Sequence, residues 1–183
     1  MIWLLIGALP GCRDSRDGGG LSGSDSSAPL DDGDDLPPPR DDLVPALGTD
    51  GTLDIATWNI ENFPKRYTTP ALVADLITSL RLDVIAVQEI SDVAGFDELV
   101  ARLPTHDAIL SEHVYSSGNY QKLAVLYRTD LLMPSDARLL FAGDTYAFPR
   151  PPLEVHFTAL DPEAGPDDFT VITVHLKAGG DSD

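Results

Sequence analysis

From residue 53 onward, the apolar residues of this chain fall into short runs separated by polar residues, glycine and proline. Runs of about four to eight apolar and β-branched residues are typical of strands, whereas a period near 3.6 indicates a helix. Two segments, 71–80 and 96–103, have the helical pattern. Strands are predicted over 53–60, 83–87, 108–110, 123–127, 137–141, 153–160 and 169–176. This pattern predicts an α/β fold of packed layers, with a mixed sheet and antiparallel hairpins.

The segment before these runs has a different composition. Residues 13–50 are rich in Gly, Ser, Pro and Asp, and the first 50 residues together contain ten Asp and three Arg, a formal charge of −7. A segment with so little apolar surface cannot bury enough of it to fold alone. We therefore expect a disordered acidic linker over 13–50 and a folded domain over 51–183.

The first twelve residues resemble a bacterial lipoprotein signal. Residues 1–9 are almost entirely apolar, and Leu9 precedes the pair Gly11-Cys12 with the spacing of a lipidated cysteine. An apolar run of nine residues suits a signal segment and is too short to span a membrane. The resemblance implies lipidation at Cys12 and a location in the cell envelope or outside the cell. A secreted protein and an arbitrary apolar N-terminus are the alternatives.

Net charge and cysteine content exclude several classes of function. The chain has 12 Lys and Arg against 30 Asp and Glu, a formal net charge of −18. Because affinity for a phosphate backbone comes from clustered Lys and Arg, this charge argues against a nucleic-acid binder with a basic surface. It leaves open a nuclease that holds phosphates through metal ions. The single cysteine excludes an internal disulfide framework and a cysteine-based zinc site.

Three of the predicted strands end in reactive side chains. Asn59 lies near the end of the first strand, Glu89 follows the second, and His175 lies near the end of the last. Ligand sites of α/β sheets collect at the carboxyl ends of strands. Carboxylate and amide oxygens suit Mg²⁺, and histidine is the usual proton-transfer group near neutral pH. The sequence therefore predicts an oxygen-rich metal site with an imidazole beside it.

Five motifs in order resemble those of the endonuclease/exonuclease/phosphatase superfamily of DNase I-like metal-dependent enzymes. They are Trp58-Asn59-Ile60-Glu61-Asn62, Val87-Gln88-Glu89-Ile90, the segment 123–128, Arg150-Pro151-Pro152 and Val174-His175-Leu176-Lys177. The resemblance implies a four-layer α/β/β/α sandwich with the site at one edge of the paired sheets. The family's domain continues well beyond the strand before His175. We therefore expect residues 51–183 to be an incomplete sandwich, its N-terminal half, that is inactive and aggregation-prone by itself.

The resemblance also implies a role for individual residues. It makes Glu89 the metal-binding glutamate, Asn59 an asparagine beside the metal and the scissile phosphate, and His175 a catalytic phosphate-contacting histidine. Arg150 and Tyr120 match substrate-binding positions. The implied cofactor is Mg²⁺, with Mn²⁺ or Ca²⁺ as alternatives.

The implied activity is hydrolysis of a phosphoester. The leading interpretation is an anchored phosphodiesterase or endonuclease, with nucleic acid as a possible substrate and a lipid anchor as the only membrane contact. A phosphomonoesterase, a lipid phosphodiesterase and an inactive remnant or binding module are the alternatives. Ser91 and Gln121 stand where DNase-like members often carry an arginine and a glutamate. No protein partner is inferred.

Overall fold

The structure is a computed structural model that describes residues 4–5, 39–161 and 168–176. The elements are β1 (Leu4–Leu5), β2 (Ile55–Phe63), α1 (Thr69–Leu80), β3 (Val84–Ile90), α2 (Val93–Ala101), β4 (His106–Leu110), β5 (Lys122–Arg128), β6 (Leu132–Leu139), β7 (Leu153–Ala159) and β8 (Asp168–Thr173). Cys12 and most of the predicted signal segment and linker lie outside the described residues. No helix within the described part of the chain is long and apolar enough to cross a membrane.

The strands form two sheets. The first has the order β1-β2-β3-β5-β4, and the second has the order β6-β7-β8. Strands β2 and β3 are parallel, whereas β5 runs antiparallel to both of its neighbours. All pairings in the second sheet are antiparallel. The predicted mixed sheet with antiparallel hairpins is thus confirmed.

The central strands β3 and β5 are buried on both faces, because side chains alternate between two cores. One core lies between the first sheet and the helices, and it contains Ile85, Val87, Ala124, Leu126, Ile77 and Leu99. The other lies between the two sheets and contains Val84, Val125, Tyr127, Val155, Phe157 and Val171. The described residues therefore form three successive layers, which are helices, sheet and sheet.

Helix α2 and strand β6 begin three and five residues earlier than the apolar pattern predicts. Helix α2 begins at Val93 because the Asp92 side chain accepts a hydrogen bond from the Ala94 backbone N–H at 3.0 Å. This is an N-cap that the apolar pattern does not include. Strand β6 begins at Leu132, five residues before the predicted strand. It contains Pro134, followed by the polar residues Ser135 and Asp136, and its register with β7 shifts between Pro134 and Asp136, as edge strands and bulges tolerate.

The last part of the predicted linker packs on helix α1. The backbone N–H of Arg40 donates to Asp75 Oδ1 at 3.0 Å, and that of Leu43 donates to Ser79 Oγ at 3.1 Å. The N–H groups of Leu47 and Gly48 both donate to the Leu80 carbonyl at 3.0 Å. Contacts with the folded domain therefore begin near residue 40, earlier than the boundary expected at residue 51.

Candidate functional site

The parallel strands β2 and β3 bring Asn59 and Glu89 to the same edge of the first sheet. Asn59 pairs in register with Gln88, directly before Glu89. Register shifts follow at this point, between Asn59 and Phe63 on one side and between Gln88 and Ile90 on the other. Such irregularities re-aim a side chain at the end of a strand. Here they turn Glu89 out of the alternating pattern of β3.

Gln88 brings the third strand end to this edge. Its Nε2 lies 2.9 Å from Thr57 Oγ1, 3.0 Å from the Ala86 carbonyl and 3.0 Å from Thr173 Oγ1. Gln88 is buried, and Thr173 is the last residue of β8. This contact connects the two sheets across 85 residues of sequence. It places the residues that follow β8, including His175, beside the end of β3.

Three groups converge on the Glu89 carboxylate. Oε1 accepts a hydrogen bond from Asn59 Nδ2 at 3.1 Å and lies 3.2 Å from His175 Nε2. Oε2 accepts a hydrogen bond from the Asn62 backbone N–H at 3.1 Å. The side chains of Glu89 and His175 retain only 16% and 17% of their exposure, so the pair is largely withdrawn from solvent but still accessible. The structure thus brings together the three predicted catalytic residues.

The backbone around Glu89 is in a sparsely populated conformation. Glu89 has φ 68°, and Glu61 and Asn62 on the neighbouring strand have φ 45° and 51°. Residues other than glycine seldom adopt this left-handed region, and strained conformations concentrate at functional sites. The Glu61 N–H donates to Asn59 Oδ1 at 2.9 Å, and this hydrogen bond offsets part of the conformational cost at Glu61.

His175 has a lowered pKa. Burial of the ring is the largest cause, the nearby Arg150 guanidinium adds to it, and the Glu89 carboxylate opposes both. Within the described residues, the buried Nδ1 atom of His175 has no hydrogen-bond partner. The lowered pKa favours the neutral imidazole, and Nε2 lies 3.2 Å from Glu89 Oε1.

A model of the endonuclease/exonuclease/phosphatase family matches residues 56–173, which is more than half of the chain. The chain belongs to this family. No match is found among curated protein sequences.

Several solved structures share the fold of this chain. Humanized D. rerio TDP2 with 14 mutations is 16% identical with a TM-score of 0.55, and the alignment covers 69% of this chain and 48% of that one. A mannosyl-6-phosphatase from Bacteroides thetaiotaomicron is 18% identical with a TM-score of 0.55, covering 70% and 53%. The human Nocturnin catalytic domain is 18% identical with a TM-score of 0.50, covering 70% and 51%. The predicted DNase I-like fold is confirmed, and the chain spans about half the length of these structures.

The donor set at Glu89 fits the divalent cation that membership of the family implies. Mg²⁺ is usually held by one or two carboxylates together with water and substrate phosphate oxygens. A carboxylate offers about four acceptor positions, so the hydrogen bonds to Glu89 leave room for an ion. Among the described residues no group of three or more His, Cys, Asp or Glu side chains could hold a metal, so Glu89 would share the ion with water and substrate oxygens.

The side-chain amide of Asn59 has hydrogen-bond partners within the chain at both of its ends. Its Nδ2 donates to Glu89 and its Oδ1 accepts from the Glu61 N–H, so both ends of the amide are occupied. In this arrangement Asn59 orients the carboxylate, and its role as a metal ligand stays a prediction.

The two predicted substrate-binding residues lie around the site and do not touch Glu89. Arg150 Nε donates to Tyr115 Oη at 2.9 Å, and its Nη1 lies 3.5 Å from the His175 carbonyl and 3.3 Å from that of Leu176. Arg150 therefore holds the chain that carries His175. The Tyr120 hydroxyl accepts from the Val93 N–H at 3.3 Å, at the start of α2. Contact of either residue with substrate stays a prediction.

Sequence reasoning assigned no role to several residues that support the site: Gln88, Asn62, Tyr115 and Gln121. Gln88 belongs to a motif that the resemblance includes, so its position was visible although its contacts were not. Asn62 acts through its backbone N–H, which no residue-type pattern reveals. Tyr115 and Gln121 lie in a polar loop without periodicity.

Proposed function

We propose that this protein is a divalent-metal-dependent phosphoester hydrolase, and most specifically a phosphodiesterase of the endonuclease type. The observation that carries the proposal is the convergence of Asn59, Glu89 and His175 within hydrogen-bond distance at one sheet edge. A carboxylate for a hard cation and an imidazole for proton transfer are what phosphoester hydrolysis requires.

In this mechanism each residue of the chain has a separate task. Glu89 would hold the cation, which would supply charge stabilisation at the phosphoryl group. Asn59 and the Asn62 N–H fix the two carboxylate oxygens of Glu89. His175 Nε2, which faces Glu89 Oε1 at 3.2 Å in the free protein, would donate its hydrogen bond to a phosphoryl oxygen or to the leaving oxygen once substrate is bound. Its lowered pKa favours the neutral ring, which can still donate through one N–H.

Hydrolysis assays on the complete protein as its gene encodes it test this proposal, because residues 51–183 by themselves are expected to be inactive. The panel contains single-stranded DNA, RNA, bis(p-nitrophenyl) phosphate, p-nitrophenyl phosphate and sphingomyelin vesicles, each with Mg²⁺, Mn²⁺, Ca²⁺ or EDTA. We expect metal-dependent cleavage of the diesters and a loss of about 100-fold or more in kcat for Glu89→Ala and for His175→Ala. Asp97→Asn, an exposed carboxylate on α2, is the matched control.

The same panel separates the alternatives. Hydrolysis of the monoester alone identifies a phosphomonoesterase, and cleavage confined to vesicles identifies a lipid phosphodiesterase. Activity that survives in EDTA, or wild-type rates in both alanine variants, would contradict the metal-dependent mechanism. A correctly folded full-length protein with no activity on any substrate would favour a remnant or a binding module.

We propose further that Cys12 is lipidated and anchors the protein outside the cytoplasm, with the segment from residue 13 to about residue 38 as the tether. Support comes from the apolar run before Leu9-Pro10-Gly11-Cys12 and the polar segment after it. Metabolic labelling with a radioactive fatty acid should mark the wild-type protein and leave Cys12→Ala unlabelled. Equal labelling of both proteins, or of neither, would exclude the anchor and leave secretion as the alternative.

A further inference from the structure

The loop between β4 and β5, residues 111–121, is closed at its base by an internal set of bonds. The N–H of Ser111 donates to the Leu123 carbonyl at 2.8 Å, and the N–H of Leu123 donates to Ser111 Oγ at 3.0 Å. The buried Lys122 donates through Nζ to the carbonyls of Ser111 and His113, at 2.8 and 3.0 Å. A buried ammonium is costly unless it is fully bonded, so these contacts give the loop a defined shape.

The tip of the loop is also held. The N–H of Tyr115 donates to the Asn119 carbonyl, and the N–H of Gly118 donates to the Tyr115 carbonyl, both at 2.8 Å. Gly118 has φ 85°, a conformation that glycine adopts without strain. The turn therefore fixes the position of Tyr115 relative to the rest of the loop.

Tyr115 reaches one of the two catalytic groups through Arg150. The Tyr115 hydroxyl accepts from Arg150 Nε at 2.9 Å, while Nη1 of the same guanidinium lies 3.5 Å from the His175 carbonyl and 3.3 Å from that of Leu176. Strand β8 ends at Thr173, and within the part of the chain that the structure describes the backbone at His175 pairs with no strand. The Arg150 guanidinium, itself bonded to Tyr115, contacts this backbone at the carbonyls of His175 and Leu176.

Gln121, at the other end of the loop, reaches the second catalytic group through Asn62. Gln121 Nε2 donates to Asn62 Oδ1 at 2.5 Å, and Ser91 Oγ lies 3.4 Å from the same oxygen. The backbone N–H of Asn62 in turn donates to Glu89 Oε2. Because Asn62 has φ 51°, the direction of this N–H depends on a conformation that the side-chain contacts help to maintain.

We propose that the 111–121 loop is the positioning element of the active site, with Tyr115 orienting His175 through Arg150 and Gln121 orienting Glu89 through Asn62. This inference rests on the proposed function, because the positioning of Glu89 and His175 affects catalysis only if both are catalytic. The hydrogen bonds that support it are those of the protein without a metal ion. Neither residue touches the reacting groups, so both are positioning residues. Groups that orient a metal ligand typically change metal affinity or activity by about 10–100-fold.

The test uses the full chain with Tyr115→Phe and Gln121→Ala, and Ser116→Ala in the exposed part of the same loop is the matched control. The effect of Gln121 on Glu89 is measured by Mn²⁺ binding, which is monitored as the loss of the electron paramagnetic resonance signal of the free ion. We expect Gln121→Ala to weaken Mn²⁺ binding about 10-fold and Tyr115→Phe to leave it unchanged. Gln121→Met, which has a similar shape but no donor, should behave like Gln121→Ala.

The effect of Tyr115 on His175 is measured by nuclear magnetic resonance of the histidine rings in the metal-free protein. The His175 signals are assigned by their absence in His175→Ala. Tyr115→Phe and Arg150→Gln should shift the His175 ring signals, whereas Ser116→Ala and Gln121→Ala should not. In hydrolysis assays Tyr115→Phe should lower kcat about 10-fold with KM unchanged. Circular dichroism confirms that each variant is folded.

Failure of this inference and failure of the proposed function give different results. If Glu89→Ala abolishes Mn²⁺ binding while the Tyr115 and Gln121 variants match Ser116→Ala, the loop has no positioning role and the proposed function stands. If wild type and Glu89→Ala bind Mn²⁺ equally, Glu89 is not the metal ligand, and the proposed role of Gln121 is overturned as well. The His175 ring signals then still test the proposed role of Tyr115.

Discussion

Glu89 combines the central chemical role of the proposed site with an unfavourable backbone conformation. Its φ of 68° lies in the left-handed region, where a residue other than glycine costs roughly 1–2 kcal/mol. Glu61 and Asn62, with φ 45° and 51°, share this feature on the adjacent strand. The N–H of Asn62 points at Glu89 because of it. The unfavourable backbone conformation therefore lowers local stability, and the same conformation fixes the position of the Glu89 carboxylate.

Removing the side chain of Glu89 in two ways should expose this strain. Glu89→Ala and Glu89→Gly both delete the carboxylate, but only glycine accepts the positive φ without a penalty. We expect Glu89→Gly to be more stable than Glu89→Ala by about 1 kcal/mol, with both variants inactive. Urea unfolding of the two proteins measures the difference. A glycine variant less stable than the alanine variant by about 0.5–1 kcal/mol, the usual entropic cost of glycine, would mean that residue 89 carries no strain.

The sequence predicts which residues meet at the site better than it predicts how they are bonded. Asn59, Glu89 and His175 come together because parallel strand ends share one edge of a sheet. The role of Arg150 depends on Tyr115, a residue 35 positions away in the sequence, and on backbone carbonyls near His175. Partners of this kind follow from tertiary packing, and neither spacing nor residue type encodes them.

At the scale of elements, helix α1 shows why the domain begins earlier than its composition suggests. Asp75 and Ser79 are buried polar residues on this helix, with exposures of 7% and 2%. Their partners are backbone N–H groups of Arg40 and Leu43, in a segment without apolar periodicity. A linker composition therefore conceals an extended segment bound by its main chain. Both helices and strands β2 to β8 overlap segments that the apolar pattern predicts, whereas β1 and the first part of β6 do not.

Gly48 should be the most sensitive position of this segment. A Cβ atom at residue 48 would lie 1.7 Å from the Arg81 carbonyl oxygen, a backbone atom that cannot rotate away. We expect Gly48→Ala to lower the free energy of unfolding by about 1–3 kcal/mol, as overpacking does. The control is Gly143→Ala, where a Cβ would meet nothing within 4 Å. Equal stability of both variants in urea would contradict the packing of residues 40–48 on α1.

For the whole molecule, the two cores and the acidic charge have separate consequences. The cores on either face of the first sheet hold the strand ends in register, and the contact between Gln88 and Thr173 joins the sheets where they meet the site. Of the formal net charge of −18, −7 belongs to the first 50 residues, so residues 51–183 carry −11. The proposed catalytic domain is therefore itself strongly acidic, and its field repels a polyanionic substrate at low ionic strength.

This repulsion predicts an unusual salt dependence for the full-length protein. Screening lengths fall from about 30 Å at 0.01 M salt to about 8 Å at 0.15 M, so added NaCl should weaken the repulsion. At saturating Mg²⁺ we expect kcat/KM for single-stranded DNA to rise about two- to tenfold over this range. The singly charged bis(p-nitrophenyl) phosphate should change little. A basic binding surface would produce the opposite trend, because counterion release makes such affinity fall with salt. A fall in kcat/KM for DNA with added salt would therefore show that a local cationic surface outweighs the net charge.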